Sequence, residues 1–350
     1  MNIRLTHLDG TLPNLALMKL SHWHKDQGDT VYFTTNPRRT LDEPDYDIVY
    51  ASSVFGAHDQ ERTDFLENWS WHACAIIGGT GTDNLSLTVE QVLSVDTYEH
   101  YDYSIYPDYP WSIGFTSRGC RLACKFCKVP SKEGRIRFAG TIADIYRPST
   151  ERSIVLLDND FFGQPHDQWL ARCQELIDGK FKVSLTQGIN ARLITDEEAH
   201  WLSLLNYYDI RMKNRRIYTA WDNKRDEKIF ITGVKRLIDA GIPSAHIIVY
   251  MLIGFDPDET IADRMYRFQR IVDMGMIPWP MVYNKQPKPY SRGIPNIDEL
   301  NDFQRWVAGG YYKTVSWDEV VALGKVPRAR PPKNRIGPLV RDIKSHVSPY

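Results

Sequence analysis

At 350 residues, with 42% hydrophobic and 25% charged side chains, the chain has an ordinary globular composition and the length for two domains. A formal net charge of −1 excludes a global electrostatic pull toward nucleic acid. No stretch approaches the run of about twenty apolar residues that a membrane helix needs. The opening Met1-Asn2-Ile3-Arg4-Leu5-Thr6-His7 lacks the apolar core of a secretory signal, and five cysteines in a chain of this length make no disulfide framework. Both point to a reducing compartment, the cytoplasm.

The first hundred residues alternate short strands with helices. Ile3–Leu8 is an apolar strand, followed by a turn at Gly10-Thr11-Leu12-Pro13-Asn14. Leu15, Leu17, Met18, Leu20 and Trp23 then recur near helical spacing up to a stop at Gly28-Asp29. Val31–Thr34, Asp47–Ser52 and Ala73–Ile77 are the next strands, the last broken by Gly78-Gly79. This alternation predicts a parallel, doubly wound, Rossmann-like sheet over residues 1–95, a class that binds ligands at the carboxyl ends of its strands. Residues 96–110, rich in Tyr, Asp and Pro, read as a linker.

From Trp111 a strand-then-helix unit repeats. Trp111–Thr116 leads into a cysteine-rich loop, and Ser153–Leu157 ends at Asp158-Asn159-Asp160. Val183–Thr186 ends at Gln187, Ile217–Ala220 at Trp221-Asp222, His246–Ile253 at Gly254, and Pro280–Tyr283 at Asn284. Helices are expected at Asp167–Leu176, Asp196–Leu205, Lys228–Asp239 and Thr260–Met274. Polar residues at strand carboxyl ends are where barrel enzymes keep their chemistry. Residues 291–350 form a C-terminal extension with a basic, proline-containing arm from Lys325 to Arg335. That arm and the run Arg211–Arg216 read as solvated surface, with contact to a phosphate-bearing partner as the rival.

The loop carries Gly119-Cys120-Arg121-Leu122-Ala123-Cys124-Lys125-Phe126-Cys127, a C-x3-C-x2-C run. Zinc normally takes four ligands, and here no local fourth is present: His100 lies upstream and the next His is His166. Three thiolates on one loop suit three irons of a cubane cluster and leave the fourth open, whereas a cluster used only for electron transfer normally has four protein ligands. Cys74 and Cys173 are isolated and read as small buried hydrophobes; two residues are too few for a second cluster.

On these residues the chain resembles the radical S-adenosylmethionine (SAM) superfamily. The resemblance implies an α/β fold in which the Rossmann-like domain precedes a partial (βα)6 TIM-type barrel over residues 111–290. It implies a [4Fe-4S] cluster on Cys120, Cys124 and Cys127, with SAM on the open iron, cleaved reductively to a 5′-deoxyadenosyl radical that abstracts hydrogen from a substrate. Phe126 matches the aromatic whose backbone meets the adenine of SAM. Asp158, Asn159 and Asp160 occupy the place of the motif that receives its amino group. Gln187 and Asn190 are assigned to the ribose, Arg192 to the carboxylate, Asp222 to ribose or substrate, and Gly254 to the strand end packed on adenine. Arg118 and Lys128 flank the cluster loop, and a ferredoxin or flavodoxin is the implied reductant. The substrate class, whether small molecule, peptide or nucleic-acid base, is left open.

The N-terminal half resembles the cobalamin-binding domain that precedes many such barrels, through Pro44–Val49, Ser52-Ser53-Val54-Phe55 and Ala75–Thr80. Its D-x-H-x-x-G signature, whose His ligates cobalt, is absent; His7-Leu8-Asp9-Gly10 has similar residues in another order. Val129-Pro130-Ser131-Lys132-Glu133-Gly134 matches a V-P-x-x-E-G continuation of the same subgroup, without a role for Glu133. Alternatives are a cobalamin-dependent radical methyltransferase, a non-catalytic iron–sulfur protein, and a zinc-stabilised nucleic-acid-binding module.

Overall fold

The computed structural model describes residues 1–55, 59–82, 87–96, 98–148, 151–283 and 296–326. The chain is α/β with mostly parallel sheets. It divides into two compact units, the first made of Met1–Ile189 and Ile194–Ile217, the second of Asn190–Leu193 and the chain from Tyr218 onward.

The first unit opens on a parallel sheet in the order β2-β1-β3-β4, with β1 Asn2–His7, β2 Thr30–Thr34, β3 Ile48–Ser52 and β4 Ala75–Gly78. β1 is buried along nearly its whole length, Arg4 and Thr6 as well as Ile3 and Leu5. Such burial is typical of a parallel strand covered on both faces. The guanidinium of Arg4 is satisfied by Glu43 (2.7 Å) and by the carbonyls of Asn36 and Arg38, and lies over the ring of Trp69. Helix α1, Leu15–Asp26, is capped by the Asn14 side chain, which accepts from the Leu17 N–H and donates to Ser52 Oγ. Its Leu17, Met18 and Leu20 join Ile3, Leu5 and Tyr50 in one core. Helix α2 (Asp59–Trp69) brings Phe65 and Trp69 against Val49 and Ala51, and the short α3 (Val89–Leu93) carries a Thr88/Gln91 capping box.

A second parallel sheet of this unit has the order β10-β9-β8-β5, with β5 Ser112–Gly114, β8 Ser153–Leu156, β9 Lys182–Leu185 and β10 Asn206–Tyr207. β6 (Ser117–Arg118) and β7 (Arg137–Phe138) form an antiparallel pair, and the segment between them contains the cysteine loop and the short helix α4, Val129–Lys132. Helices α5 (Ile142–Ile145), α6 (His166–Asp178) and α7 (Asp196–Leu204) complete the unit.

The second unit holds a sheet in the order β11-β12-β13, formed by Ile217–Ala220, Ile247–Ile253 and Ile277–Val282, with helices α8 (Glu227–Asp239) and α9 (Ile261–Asp273). The strands expected after Trp111 are therefore shared between two sheets. The segment 291–350, read only as an extension, contributes α10 (Ile297–Ala308), packed on β13 through buried Leu300, Phe303 and Val307, and α11 (Trp317–Leu323). The Asn284 strand end and residues 327–335 of the basic arm lie outside the described residues. Among the described residues no helix is long and apolar enough to cross a membrane.

None of the five cysteines forms a disulfide. Cys173 is fully buried on α6, and burial pushes its thiol up to about 12. Cys74 is exposed, which corrects its reading as a buried hydrophobe: it lies in the turn before β4, where no core covers it. Iodoacetamide at pH 8 is therefore expected to alkylate Cys74 in the native protein and Cys173 only on unfolding, since the latter's thiolate fraction is about a thousandfold below that of an ordinary cysteine. Peptide mapping checks this, and native labelling of Cys173 would contradict the packing of α6.

Candidate functional site

The cysteine loop leaves the carboxyl end of β5, and its base is closed by Ser117 pairing with Phe138 and Arg118 with Arg137. Gly119, at φ +85°, lets the chain turn directly before the first cysteine. A Cβ there would stand 2.3 Å from the Arg135 carbonyl oxygen, so only glycine fits. Cys120, Cys124 and Cys127 are each half-buried. The Leu122 N–H points at Cys120 Sγ and the Val129 N–H at Cys127 Sγ, both at 3.4 Å. Burial raises the pKa of Cys120, the Leu122 N–H counteracts this, and Asp160, Cys124 and Cys127 add to it, so the sulfurs feel one another. Among the described residues no group of three or more His, Cys, Asp or Glu is gathered around one point as a ready metal site. The donor chemistry suits iron.

Asp158-Asn159-Asp160, at the carboxyl end of β8, all grip this loop. Asp158 is buried; it accepts the Thr116 N–H (3.1 Å) and hydroxyl (2.6 Å) and the Ser117 N–H (2.6 Å) and hydroxyl (2.8 Å). Burial pushes its pKa up against the pull of those four donors. Asp160, also buried, accepts Nε, Nη2 and the backbone N–H of Arg121 and lies 3.9 Å from Cys120 Sγ. Asn159 donates to Glu133 at 2.9 Å. Glu133, to which the sequence assigned nothing, also receives the Arg118 guanidinium (2.9 Å) and the Gly119 N–H (3.0 Å), and so ties both ends of the loop to β8. The acids expected to receive an ammonium are thus committed to bracing the cysteines. Phe126 is half-buried in the loop, and Gln187 is exposed just past the end of β9.

Asn190, Arg192, Asp222 and Gly254 belong to the second unit. Arg192 pairs with Asp226 at 3.1 Å and donates to the Asn190 side chain. Asp222, half-buried at the end of β11, accepts the Leu252 N–H at 3.1 Å, and burial raises its pKa. Gly254 packs beside Leu300, a Cβ there coming within 2.6 Å of its Cδ1. Arg267 of α9, fully buried, organises these strand ends by donating to the carbonyls of Trp221 (2.6 Å) and Leu252 (2.9 Å) and pairing with Glu259. A buried arginine inside an amphipathic helix gave no signal in the sequence. Arg267→Met is expected to cost about 3–5 kcal/mol in a thermal melt, because Glu259 loses its guanidinium partner while staying largely out of water; adding Glu259→Leu should restore part of the loss. A double variant less stable than Arg267→Met would refute that account. In the basic run, Arg215 lies over the Tyr207 ring, 4.0 Å from its centroid.

The first unit also contains a cavity of about 650 Å³, at the carboxyl ends of β1 and β3, where the strand order reverses. The His7-Leu8-Asp9-Gly10 segment lies at this cavity: His7 Nδ1 meets the Tyr106 hydroxyl at 3.1 Å, and burial lowers the pKa of His7. Asp9 fastens the loop after β3, accepting from the Ser53 hydroxyl and the N–H groups of Val54 and Phe55. The Gly78-Gly79 turn is closed on the chain itself, since a Cβ on Gly79 would lie 2.0 Å from the Ser53 carbonyl oxygen. No family model, curated protein or solved structure matches this chain.

Proposed function

We propose that this protein is a radical SAM enzyme, with a Rossmann-like domain preceding a partial (βα)6 barrel and a [4Fe-4S] cluster on Cys120, Cys124 and Cys127. The observation that carries the reading is the C-x3-C-x2-C loop itself, set at the carboxyl end of a parallel strand and braced from the end of β8 by Asp158, Asn159 and Asp160, with Glu133, just after α4, bonded to Asn159. When bound, the cluster and SAM supply the one-electron chemistry that ends in hydrogen abstraction from a substrate. The chain supplies position. Two N–H groups aimed at sulfur stabilise thiolate character at Cys120 and Cys127. Arg118, held by Glu133, keeps a positive charge beside the loop. Among the candidates for SAM, Phe126 and Gln187 lie in the first unit; Asn190 and Arg192, in the chain after β9, and Asp222 and Gly254, after β11 and β12, lie in the second.

The test is anaerobic reconstitution with iron and sulfide, then dithionite and SAM, with 5′-deoxyadenosine measured by chromatography, with and without cobalamin. Product without cobalamin is the expected outcome. Iron bound with no SAM cleaved under either condition would favour an electron-transfer protein, and a colourless protein holding zinc would overturn the reading.

A further inference from the structure

The cavity at the β1/β3 switch point has a cationic wall, of which the cluster reading uses Arg118 alone. Arg118, Lys128, Lys132 and Arg137 all line it. Among the described residues, Lys128 Nζ donates to the Thr80 carbonyl (3.0 Å) and Lys132 Nζ to Thr80 Oγ1 (3.1 Å), both neutral acceptors. An ammonium has three donors, so each lysine retains donors for another partner. The acids lining the cavity among the described residues are already engaged. Glu133 is bound by Arg118, Gly119 and Asn159; Glu90 pairs with Lys19 at 3.0 Å; Asp9 is held by the loop after β3. The pKa of Lys132 is lowered, first by burial and then by Arg118, with Glu133 opposing and Lys128 adding to the shift. The lining also includes apolar groups, among them Leu12, Val54, Phe55 and Val89. The volume lies in the range of small-molecule sites.

We infer that this cavity binds a phosphate-bearing small molecule, with its phosphoryl oxygens at Lys128, Lys132 and Arg118 and its organic part against the apolar wall. The site needs no iron and no SAM, so it stands or falls independently of the cluster.

ADP serves as the probe, titrated calorimetrically into the full chain without reconstitution at about 0.1 M salt. ADP should bind, inorganic pyrophosphate should compete with it, and adenosine should bind at least about tenfold more weakly. The double variant Lys128→Ala/Lys132→Ala should weaken ADP at least about tenfold with its melting midpoint unchanged, and Lys132→Arg should stay within about threefold of the parent. Equal affinity for ADP and adenosine, full ADP affinity in the folded double variant, or no binding of ADP or pyrophosphate up to about 10 mM would each overturn the inference. The comparison of ADP with adenosine uses the unaltered protein, so it decides even if a variant misfolds.

Discussion

Cys124→Ala is expected to remove iron binding and 5′-deoxyadenosine formation together while leaving a folded protein. Several contacts that shape the loop do not involve its sulfur. The β6–β7 pairing, the Glu133 clamp and the Asp160–Arg121 pair lie elsewhere, and the Cys127 N–H bonds the Cys124 backbone carbonyl, which alanine keeps. Losing one half-buried sulfur should cost about 1 kcal/mol, a shift of some 2–4 °C in the melting midpoint. The functional loss should be far larger, at least about a thousandfold, since two thiolates cannot retain a cluster that needs three. Iron content, the brown absorbance and product yield are measured beside Cys74→Ala, which changes an exposed residue away from the loop and should retain all three. A brown, active Cys124→Ala protein would place the cluster elsewhere.

Much of the strand pattern was legible because β-branched runs end at polar residues. Ile217–Ala220 is found as read, and most other strands shift by one or two residues. The start of β13 was missed by three residues because Pro278 argues against a strand. It lies at the edge of its sheet, where a missing N–H removes no ladder bond on the open side. β10, with two residues, is too short to leave a period. The candidate site was legible in its cysteines and illegible in its bracing. A sequence gives the type of Asp158, Asp160 and Glu133 but not their partners, and Asp158 meets Thr116 and Asp160 meets Arg121 across long loops. Acids at a strand end look alike whether they await a ligand or are already bonded. Helix α10 carried a readable stripe, Leu300, Phe303 and Val307, but lay beyond the segment where a core was sought.

Asp158→Ala should separate those two possibilities, through stability rather than activity. Thr116 accepts from Gln164 Nε2 at 3.1 Å, which turns its hydroxyl hydrogen toward Asp158, so the carboxylate takes two hydroxyl and two backbone N–H donors at the root of the cysteine loop. Alanine leaves both N–H groups buried without an acceptor, at about 1–3 kcal/mol each. The expected total is roughly 3–5 kcal/mol, or about 10 °C in the melting midpoint of metal-free protein. Asp158→Asn keeps one acceptor oxygen but sets an NH₂ against donors, and should lie between alanine and the parent. Asp160→Ala should cost less, because its partner Arg121 is about a third exposed and returns to water. An Asp158→Ala protein that melts with the parent, yet binds SAM more weakly once reconstituted, would mean that this carboxylate serves the ligand and not the loop.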